Sequence, residues 1–354
     1  MLPALPVDEL LPGLCDTLRS QNCLVLKAPP GAGKTSRVPP ALLAAGLLGA
    51  GQLIVLEPRR IAARSAARRM AAERGERVGE VCGYRVRFDE QVSSRTRIVV
   101  MTEGILLRRL QSDPFLEGVS GVLFDEFHER RLESDLALAM CRRVQETVRP
   151  DLRLVAMSAT LDPAPIARYL GDCPQLESPG RQYPVEIRYA GRLPKQPLAE
   201  QVVRGLDDVL ARTTGDVLVF LPGVGEIRQA EKLVRERFPK LLVLPLFGDL
   251  PPEEQDRVLL PAPQRKVVLS TNVAETSVTI EGITAVVDTG LARSMQFDAE
   301  SGLDRLQLSA ISQAAAEQRA GRAGRTQPGI CLRLWDEASQ RHRSEFEVPE
   351  VRRA

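Results

Sequence analysis

The strongest structural signal in this chain is Cys23-Leu-Val-Leu-Lys-Ala-Pro-Pro-Gly-Ala-Gly-Lys-Thr35. Its apolar start is typical of a short buried strand, and a glycine-rich turn follows directly. Gly31 and Gly33 would let consecutive backbone N–H groups face one phosphate, and the next helix would add its N-terminal dipole. Lys34 would reach the β- and γ-phosphates, and the Thr35 hydroxyl would bind Mg²⁺. An ordinary glycine-rich turn is the alternative interpretation. The residues predicted to surround a nucleotide here are Ala28, Pro29, Pro30, Gly31, Ala32, Gly33, Lys34 and Thr35.

Similar apolar runs recur and predict a mainly parallel α/β sheet in each half of the chain. In the first half they are residues 53–56, 97–101, 121–124 and 152–157; in the second they are 216–220, 241–244, 266–269 and 285–287. Ligands of such sheets bind at the carboxyl ends of the strands. Glycine and prolines between Ser178 and Pro197 indicate a junction. We therefore expect one domain at 1–178, a second at 179–336, and the start of a further C-terminal region at 337–354.

Composition restricts the class of protein. The 354 residues suffice for two domains, and 44% hydrophobic with 27% charged residues is normal for a soluble globular protein. The net charge of +2 gives no argument for a nucleic-acid partner, although arginines are locally dense around residues 59–69. The six cysteines form no Cys-x-x-Cys pair, which argues against a zinc site or a disulfide framework and favours a reducing cytoplasm.

The uncharged stretch 38–56 is nearly long enough to span a bilayer. It contains Pro39, Pro40 and three glycines and follows the phosphate loop, so we predict a helix, a turn and a buried strand. The N-terminus has no basic segment before an apolar one, and no signal peptide is expected. We expect a cytoplasmic protein that does not contact a membrane.

Asp125-Glu-Phe-His128 follows the apolar run 121–124. A carboxylate at the end of a buried strand can hold Mg²⁺, usually through water, and Glu126 could polarise an attacking water. Alone, this pair could equally be a solvated loop, but the phosphate loop favours a metal site of Thr35, Asp125 and Glu126. Ser158-Ala-Thr160 also ends a run, and a helix cap is its alternative interpretation.

Gln318-Arg-Ala-Gly-Arg-Ala-Gly-Arg325 places three arginines at a spacing of three among small residues. Close backbone packing with guanidinium groups on one side suits a multiply charged oxyanion. A phosphate loop near one end and this array near the other predict one nucleotide held between two domains.

In order and spacing, a set of stretches resembles the motifs of superfamily 2 DEAH-box helicases. They are residues 28–35, 57–60, 102–104, 125–128, 158–160, 270–277 and 318–325. Phe127, where most relatives have alanine, is most similar to the bacterial HrpB subgroup. The resemblance covers nearly the whole chain. It implies two tandem RecA-like domains that hydrolyse NTP, bind RNA or sometimes DNA, and move 3′ to 5′ on a single strand.

The resemblance also implies roles for residues around the NTP. Lys34 and Glu126 would be catalytic, Gln318 would position the lytic water, and Arg322 and Arg325 would be arginine fingers. The resemblance also implies that Ser277 contacts the γ-phosphate, that Glu281 lies near the ribose and that Arg69 stacks on one face of the base. On the other face of the base, Leu259 stands where relatives have an aromatic side chain. We therefore expect weak or altered base selectivity.

For the strand-binding groove, the resemblance points to Arg59, Arg85, Thr102, Gly104, Gly223, Thr271 and Asn272. Guanidinium, hydroxyl, amide and exposed backbone N–H groups suit phosphate and sugar contacts. Without the resemblance, Arg59 could be a solvated helix start, and Thr102 and Thr271 could be caps or turn residues.

The expected cofactors are ATP, or another NTP, with Mg²⁺. The expected partner is single-stranded RNA, with DNA as the alternative and a monomer as the oligomeric state. A nucleic-acid clamp without turnover is a third interpretation, which Lys34, Glu126, Gln318 and Arg325 argue against. Relatives continue into winged-helix and further C-terminal domains, so we expect a helicase core with hydrolysis and weak processive unwinding.

Overall fold

The computed structural model describes residues 4–159, 162–178, 183–191, 196–276, 278, 280–298, 303–325 and 327–352. The chain divides into two compact units. Unit 1 comprises Met1–Arg181 with Pro349–Val351, and unit 2 comprises Gln182–Val348 with Arg352–Ala354. The expected junction after Ser178 adjoins residues 179–182, which lie outside the described residues.

Unit 1 is a sheet in the order β4-β3-β5-β2-β6-β7-β1-β8, in which β3 and β4 are antiparallel and the other neighbours are parallel. Its strands are β1 (Cys23–Lys27), β2 (Gln52–Leu56), β3 (Cys82–Val86), β4 (Asp89–Gln91), β5 (Ile98–Met101), β6 (Val119–Phe124), β7 (Arg153–Ser158) and β8 (Gln175–Glu177). Its α-helices are α1 (Leu11–Ser20), α2 (Lys34–Ala44), α3 (Arg60–Glu73), α4 (Glu103–Ser112), α5 (Leu132–Thr147) and α6 (Ala164–Tyr169).

The central strands β1, β2, β5, β6 and β7 of unit 1 are mainly apolar because both faces of the sheet are covered. Successive side chains of β1 point to opposite faces. Leu24 and Leu26 join a core with Leu14 and Leu18 of α1, whereas Val25 joins a second core with residues of α4, α5 and α6. The two cores fix the sheet between two layers of helices.

Unit 2 repeats this plan with a parallel sheet in the order β11-β12-β10-β13-β16-β9, plus an antiparallel β14–β15 hairpin. Its strands are β9 (Val185–Tyr189), β10 (Asp216–Phe220), β11 (Leu242–Leu246), β12 (Lys266–Ser270), β13 (Ile283–Asp288), β14 (Leu291–Asp298), β15 (Leu303–Ala310) and β16 (Gly329–Arg333). Its α-helices are α7 (Leu198–Arg212), α8 (Val224–Arg237), α9 (Pro252–Leu259), α10 (Gln313–Ala320) and α11 (Glu337–Arg341).

The predicted α/β fold class is confirmed. Every apolar run expected to be a strand is a strand of a parallel sheet, with some ends displaced by one or two residues. Residues 38–56 form most of α2, a turn and β2, as expected. Among the helices of the described residues, none has the length and apolarity needed to cross a bilayer. All six cysteines are buried free thiols.

Candidate nucleotide and nucleic-acid sites

The phosphate loop connects β1 to α2. Its start is held by the Ala28 N–H, which donates to the Ser158 carbonyl of β7 at 2.9 Å. Gly31 and Gly33 have φ angles of +83° and +95°, in the left-handed region that favours glycine. A Cβ on Gly33 would also lie 2.7 Å from Leu5 Cδ1, too close for a carbon contact. Glycine at position 33 is therefore required on two grounds.

Lys34 begins α2 and is 5% exposed. Its Nζ donates to the Ala28 carbonyl at 2.8 Å and to the Pro29 carbonyl at 3.4 Å. The loop thus encloses an ammonium group among backbone oxygens. A phosphate oxygen could replace these acceptors, because both offer negative charge to the same donor.

The Thr35 hydroxyl donates to Asp125 Oδ2, which joins the start of α2 to the end of β6. Asp125 is 3% exposed and Glu126 is 8% exposed. Burial, and then the charge of Glu126, raise the pKa of Asp125 above its ordinary value, while Lys34 and Thr35 oppose the shift. Two buried neighbouring carboxylates beside a hydroxyl are oxygen ligands of the kind that Mg²⁺ prefers, and a divalent cation would relieve their repulsion. These residues therefore fit a magnesium ion.

His128 connects Glu126 to the end of β7. Its Nδ1 accepts a hydrogen bond from the Ala159 N–H at 3.3 Å, so in the neutral ring the proton is on Nε2. His128 Nε2 lies 3.4 Å from Glu126 Oε2. The ring therefore lies beside the Glu126 carboxylate, although His128 Nε2 makes no hydrogen bond at this distance. Thr160, the last residue of the Ser-Ala-Thr motif, lies outside the described residues.

A groove of about 860 Å³ opens in unit 1. It is lined by Thr102 and Gly104 at the start of α4, by Pro58 before α3 and by Arg131 before α5. Thr102 and Gly104, two residues apart in the chain, thus line the same groove. Thr102 makes no side-chain cap to α4, so the hydroxyl is not used as a conventional helix cap.

Two predicted strand-binding arginines are near this groove and paired with acids. Arg59 precedes α3, and its Nη1 lies 2.6 Å from Glu129 Oε1. Arg85, on β3, donates through Nε to Glu90 Oε2 at 2.6 Å. Phe88, in the turn between β3 and β4, also lines the groove and is 89% exposed. It was missed by the sequence analysis, although a phenylalanine between two charged residues is an unusual turn residue.

The residues expected around the base are distributed over both units. Arg69 is exposed on α3 and donates to Glu73 at 3.0 Å; Glu73 in turn lies 3.5 Å from Arg37 of α2. In unit 2, Leu259 is half-buried at the end of α9, and Glu281 is exposed in the turn before β13. Ser277 lies outside the described residues.

The arginine array lies in unit 2, in α10 and the turn after it. Arg322 is 4% exposed; its Nε donates to the Glu275 carbonyl at 2.8 Å and its Nη1 to the Val278 carbonyl at 2.6 Å. Arg325 Nη1 reaches the same Val278 carbonyl at 3.5 Å. Gln318 is half-buried on α10. The array thus packs against the motif at 270–277.

Arg319, which the sequence analysis left without a role, is 1% exposed. It donates to Glu275 Oε2 at 2.8 Å and to Asp288 Oδ1 at 3.0 Å, and its guanidinium lies 4.7 Å from the Phe220 ring centroid. Asp288 lies at the end of an apolar run, as Asp125 does. This similarity was the sequence signal by which Asp288 could have been recognised as a partner of Arg319. Arg319 therefore links the strands β10 and β13 to the turn that follows β12.

The strand-binding residues predicted in unit 2 follow two adjacent strands. Gly223 begins α8 after β10, and Thr271 and Asn272 follow β12, which pairs with β10. A Cβ on Gly223 would collide with the guanidinium of Arg293, which pairs with Glu226. The Thr271 N–H donates to the Leu246 carbonyl at 3.2 Å, and Asn272 is exposed.

Comparison with known proteins gives matches in both halves of the chain. Residues 13–168 match the family model described as DEAD/DEAH box helicase, and residues 200–327 match the helicase conserved C-terminal domain. The chain is 46% identical over 336 residues to the ATP-dependent RNA helicase HrpB of Escherichia coli, covering 94% of this chain and 41% of that protein. It is 41% identical over 366 residues to the pre-mRNA-splicing factor ATP-dependent RNA helicase prp22 of Schizosaccharomyces pombe, covering 99% and 31%.

A crystal structure of the Escherichia coli DEAH/RHA helicase HrpB is also similar, with a TM-score of 0.92 and 44% sequence identity. The match covers 98% of this chain and 45% of that one. The chain thus spans less than half the length of these relatives. The two units are tandem RecA-like domains, and the chain belongs to the DEAD/DEAH box helicase family.

Proposed function

We propose that the chain is the ATP-hydrolysing core of an RNA helicase that moves 3′ to 5′ along a single strand. One observation carries this proposal: Thr35 and Asp125 meet beside buried Lys34 and Glu126, where a phosphate loop ends. The relatives' names as ATP-dependent RNA helicases support the choice of ATP and RNA. We also propose that the domains span residues 1–178 and 179–336, and that the protein is a cytoplasmic monomer.

In this proposal, residues 28–35 bind the phosphates through backbone N–H groups, and Lys34 moves from the loop carbonyls to the β- and γ-phosphates. Thr35, Asp125 and Glu126 would hold Mg²⁺, which supplies charge neutralisation on the phosphate oxygens when bound. Glu126 orients a water and accepts its proton. The water oxygen bonds to the γ-phosphorus as the bond to the ADP oxygen breaks.

The second unit would complete the site. Gln318 would position the water, and Arg322 and Arg325 would stabilise charge on the transferring phosphoryl group. Ser277 would contact the γ-phosphate and Glu281 the ribose. Arg322 donates to the carbonyls of Glu275 and Val278, and a phosphate oxygen would compete with these acceptors for the same guanidinium. The seven strand-binding residues, divided between the domains, would then convert each round of closure and opening into movement.

Replacing Glu126 tests the chemistry. We expect Glu126→Gln to lower RNA-stimulated ATP turnover by roughly 10²–10⁴-fold, because the amide cannot accept the proton. Binding of a fluorescent ATP analogue should be retained. Glu117→Gln, an exposed acid of the same unit, is the matched control for loss of one carboxylate. Undiminished turnover in Glu126→Gln would remove this residue from the mechanism.

DNA translocation is the second candidate function, since backbone contacts of this kind do not by themselves distinguish ribose from deoxyribose. Turnover measured with single-stranded RNA and with DNA of the same sequence separates the two. Stronger stimulation by RNA is expected. Equal or stronger stimulation by DNA would favour the DNA helicase, and stimulation by neither would leave the clamp interpretation.

A further inference from the structure

The turn after the catalytic carboxylates is held in an uncommon backbone conformation. Residues Phe127–Glu129 form a single 3₁₀ turn, which starts at Glu126 with φ +50° and ends at Arg130 with φ +48°. Both are non-glycine residues in the left-handed region, a conformation that surrounding contacts must hold in place. The Glu129 N–H donates to the Glu126 carbonyl at 2.9 Å. A displacement of Glu129 therefore acts directly on the peptide of Glu126.

Two contacts hold this turn against the strand-binding groove. Glu129 Oε1 accepts from Arg59 Nη1 at 2.6 Å, with the two side chains only 16% and 14% exposed. Arg131 donates to the Pro58 carbonyl, and Pro58 and Arg131 both line the groove with Thr102. The segment that carries Glu126 and the segment that carries Arg59 are thus joined by a largely buried ion pair and a hydrogen bond.

We propose that Glu129 is a positioning residue that occupies Arg59 until an RNA phosphate takes its place, and that this exchange links strand binding to hydrolysis. The proposal rests on the proposed function. Phosphate and carboxylate compete for the same guanidinium fork, because both accept charge-assisted hydrogen bonds from it. A strand phosphate that binds Arg59 also repels Glu129. The 3₁₀ turn then loses its ion pair to Arg59, and Glu126 can move to meet the attacking water.

The exchange predicts opposite effects of the two partners on RNA affinity and the same effect on RNA-free turnover. Both variants release the turn, so Glu129→Gln and Arg59→Gln should each raise RNA-free kcat severalfold and lower the ratio of stimulated to unstimulated turnover. Glu129→Gln removes the competitor and should lower the RNA concentration for half-maximal stimulation about fivefold. Arg59→Gln removes the phosphate ligand and should raise it by about the same factor.

The experiment measures ATP turnover of the full chain against a titration of single-stranded oligouridylate. Glu146→Gln, which removes the acceptor of the Arg142–Glu146 ion pair on α5, is the matched control and should behave as the unsubstituted chain. A thermal melt of each variant identifies one that fails to fold, in which case the other variant decides. General structural damage would lower RNA-free kcat in both variants.

An RNA-free kcat that stays at or below that of the unsubstituted chain in a folded Glu129→Gln or Arg59→Gln variant overturns the proposal. A shift of RNA affinity in the same direction for both variants also overturns it. If the unsubstituted chain shows no RNA stimulation, the proposed function itself fails and this inference falls with it. If RNA stimulates the unsubstituted chain and both variants behave as it does, the proposed exchange is rejected while the proposed function stands.

Discussion

Arg319 had no assigned role in the sequence, and its contacts in the structure give it a structural one. It belongs to an arginine array whose composition suits an anion. Its guanidinium donates hydrogen bonds to Glu275 and Asp288 and lies over the ring of Phe220. Asp288 is itself 0% exposed. A buried carboxylate of this kind requires its cation, because removing one partner leaves an uncompensated charge in the interior.

We expect Arg319→Ala to destabilise unit 2 by about 3–5 kcal/mol. Trp335, the single tryptophan, belongs to unit 2 and reports its unfolding in urea through fluorescence. Arg341→Ala, at an exposed helix ion pair of the same unit, is the control and should change stability by less than about 1 kcal/mol. Equal urea midpoints for the two variants would contradict the structural role of Arg319.

Leu259 is the residue at which base selectivity can be tested. An aliphatic side chain covers a base without the stacking that an aromatic ring gives, and one stacked aromatic contributes about 1–3 kcal/mol. We expect similar KM values for ATP, GTP, CTP and UTP in the unsubstituted chain, and a lower KM for purine nucleotides in Leu259→Phe. A strong preference for ATP before substitution would contradict this expectation.

At the scale of elements, α4 and α5 are joined by a buried acid. Glu103, the first residue of α4, accepts a hydrogen bond from the Ser134 hydroxyl of α5 at 2.7 Å and is 4% exposed. Burial raises the pKa of Glu103 above its ordinary value, although the Ser134 hydrogen bond opposes the shift. The contact holds the start of α4, with Thr102 and Gly104, beside the N-terminus of α5.

This shift fixes the sign of a pH effect on stability. A raised folded-state pKa means that the contribution of Glu103 is fully present below its unfolded pKa and is lost as the pH rises through the folded value. Glu103→Gln keeps the acceptor oxygen without the charge. We therefore expect its melting temperature, relative to the unsubstituted chain, to increase from pH 4 to pH 8 by a few degrees, since ~1 kcal/mol corresponds to roughly 2–4 °C in a domain of this size.

Melting curves across that pH range check the prediction. Glu133→Gln, an exposed acid on α5, gives the effect of removing one charge outside the α4–α5 contact. A difference between Glu103→Gln and the unsubstituted chain that is constant from pH 4 to pH 8 would be inconsistent with a buried, titrating Glu103.

The elements that the sequence predicted share one property. The strands β1, β2, β5, β6 and β7 in unit 1, and β10 to β13 in unit 2, are apolar runs buried on both faces. The strands β4 and β8 have three residues each, and the β14–β15 hairpin presents Leu303, Leu306 and Leu308 to solvent. Such strands depend on pairing partners rather than on burial, so their apolar pattern was too weak or too mixed to identify.

The candidate sites divide in the same way. Gly31, Lys34 and Thr35 follow a buried strand and are recognisable because a turn of that composition has few other uses. Asp125 and Glu126 could be assigned only because the phosphate loop accompanies them. The partners Glu129, Glu275 and Asp288 could not be assigned, since their roles depend on which arginine lies opposite in space. Phe88 was missed for a related reason: its exposure is set by the turn that joins β3 to β4.

At the scale of the whole molecule, six free thiols are distributed over both units and all are buried. Burial raises the pKa of Cys82 and Cys173 to about 11 and that of Cys141 to about 12. Thiols with such pKa values carry almost no thiolate near neutral pH, and the thiolate is the reactive form.

The native chain should therefore react with an aromatic disulfide reagent at pH 8 only as fast as it unfolds, and all six thiols should react at once in concentrated urea. Ser112→Cys, at an exposed helix end, is the positive control and should add one rapidly labelled thiol. Rapid labelling of the unsubstituted native chain would mean that at least one of the six is accessible.

The hydrogen bonds from Lys34 Nζ to Ala28 and Pro29 have a consequence for measured affinity. The loop's own carbonyls act as a tethered competitor whose local concentration does not fall on dilution. In the proposed site a nucleotide would have to exchange with them, so its apparent dissociation constant would equal the intrinsic one divided by the fraction of chains in which the lysine is released. Lys34→Ala removes the contact between the lysine and the phosphate together with the competing hydrogen bonds to the carbonyls. The loss of affinity in this variant would therefore understate how strongly Lys34 holds a phosphate.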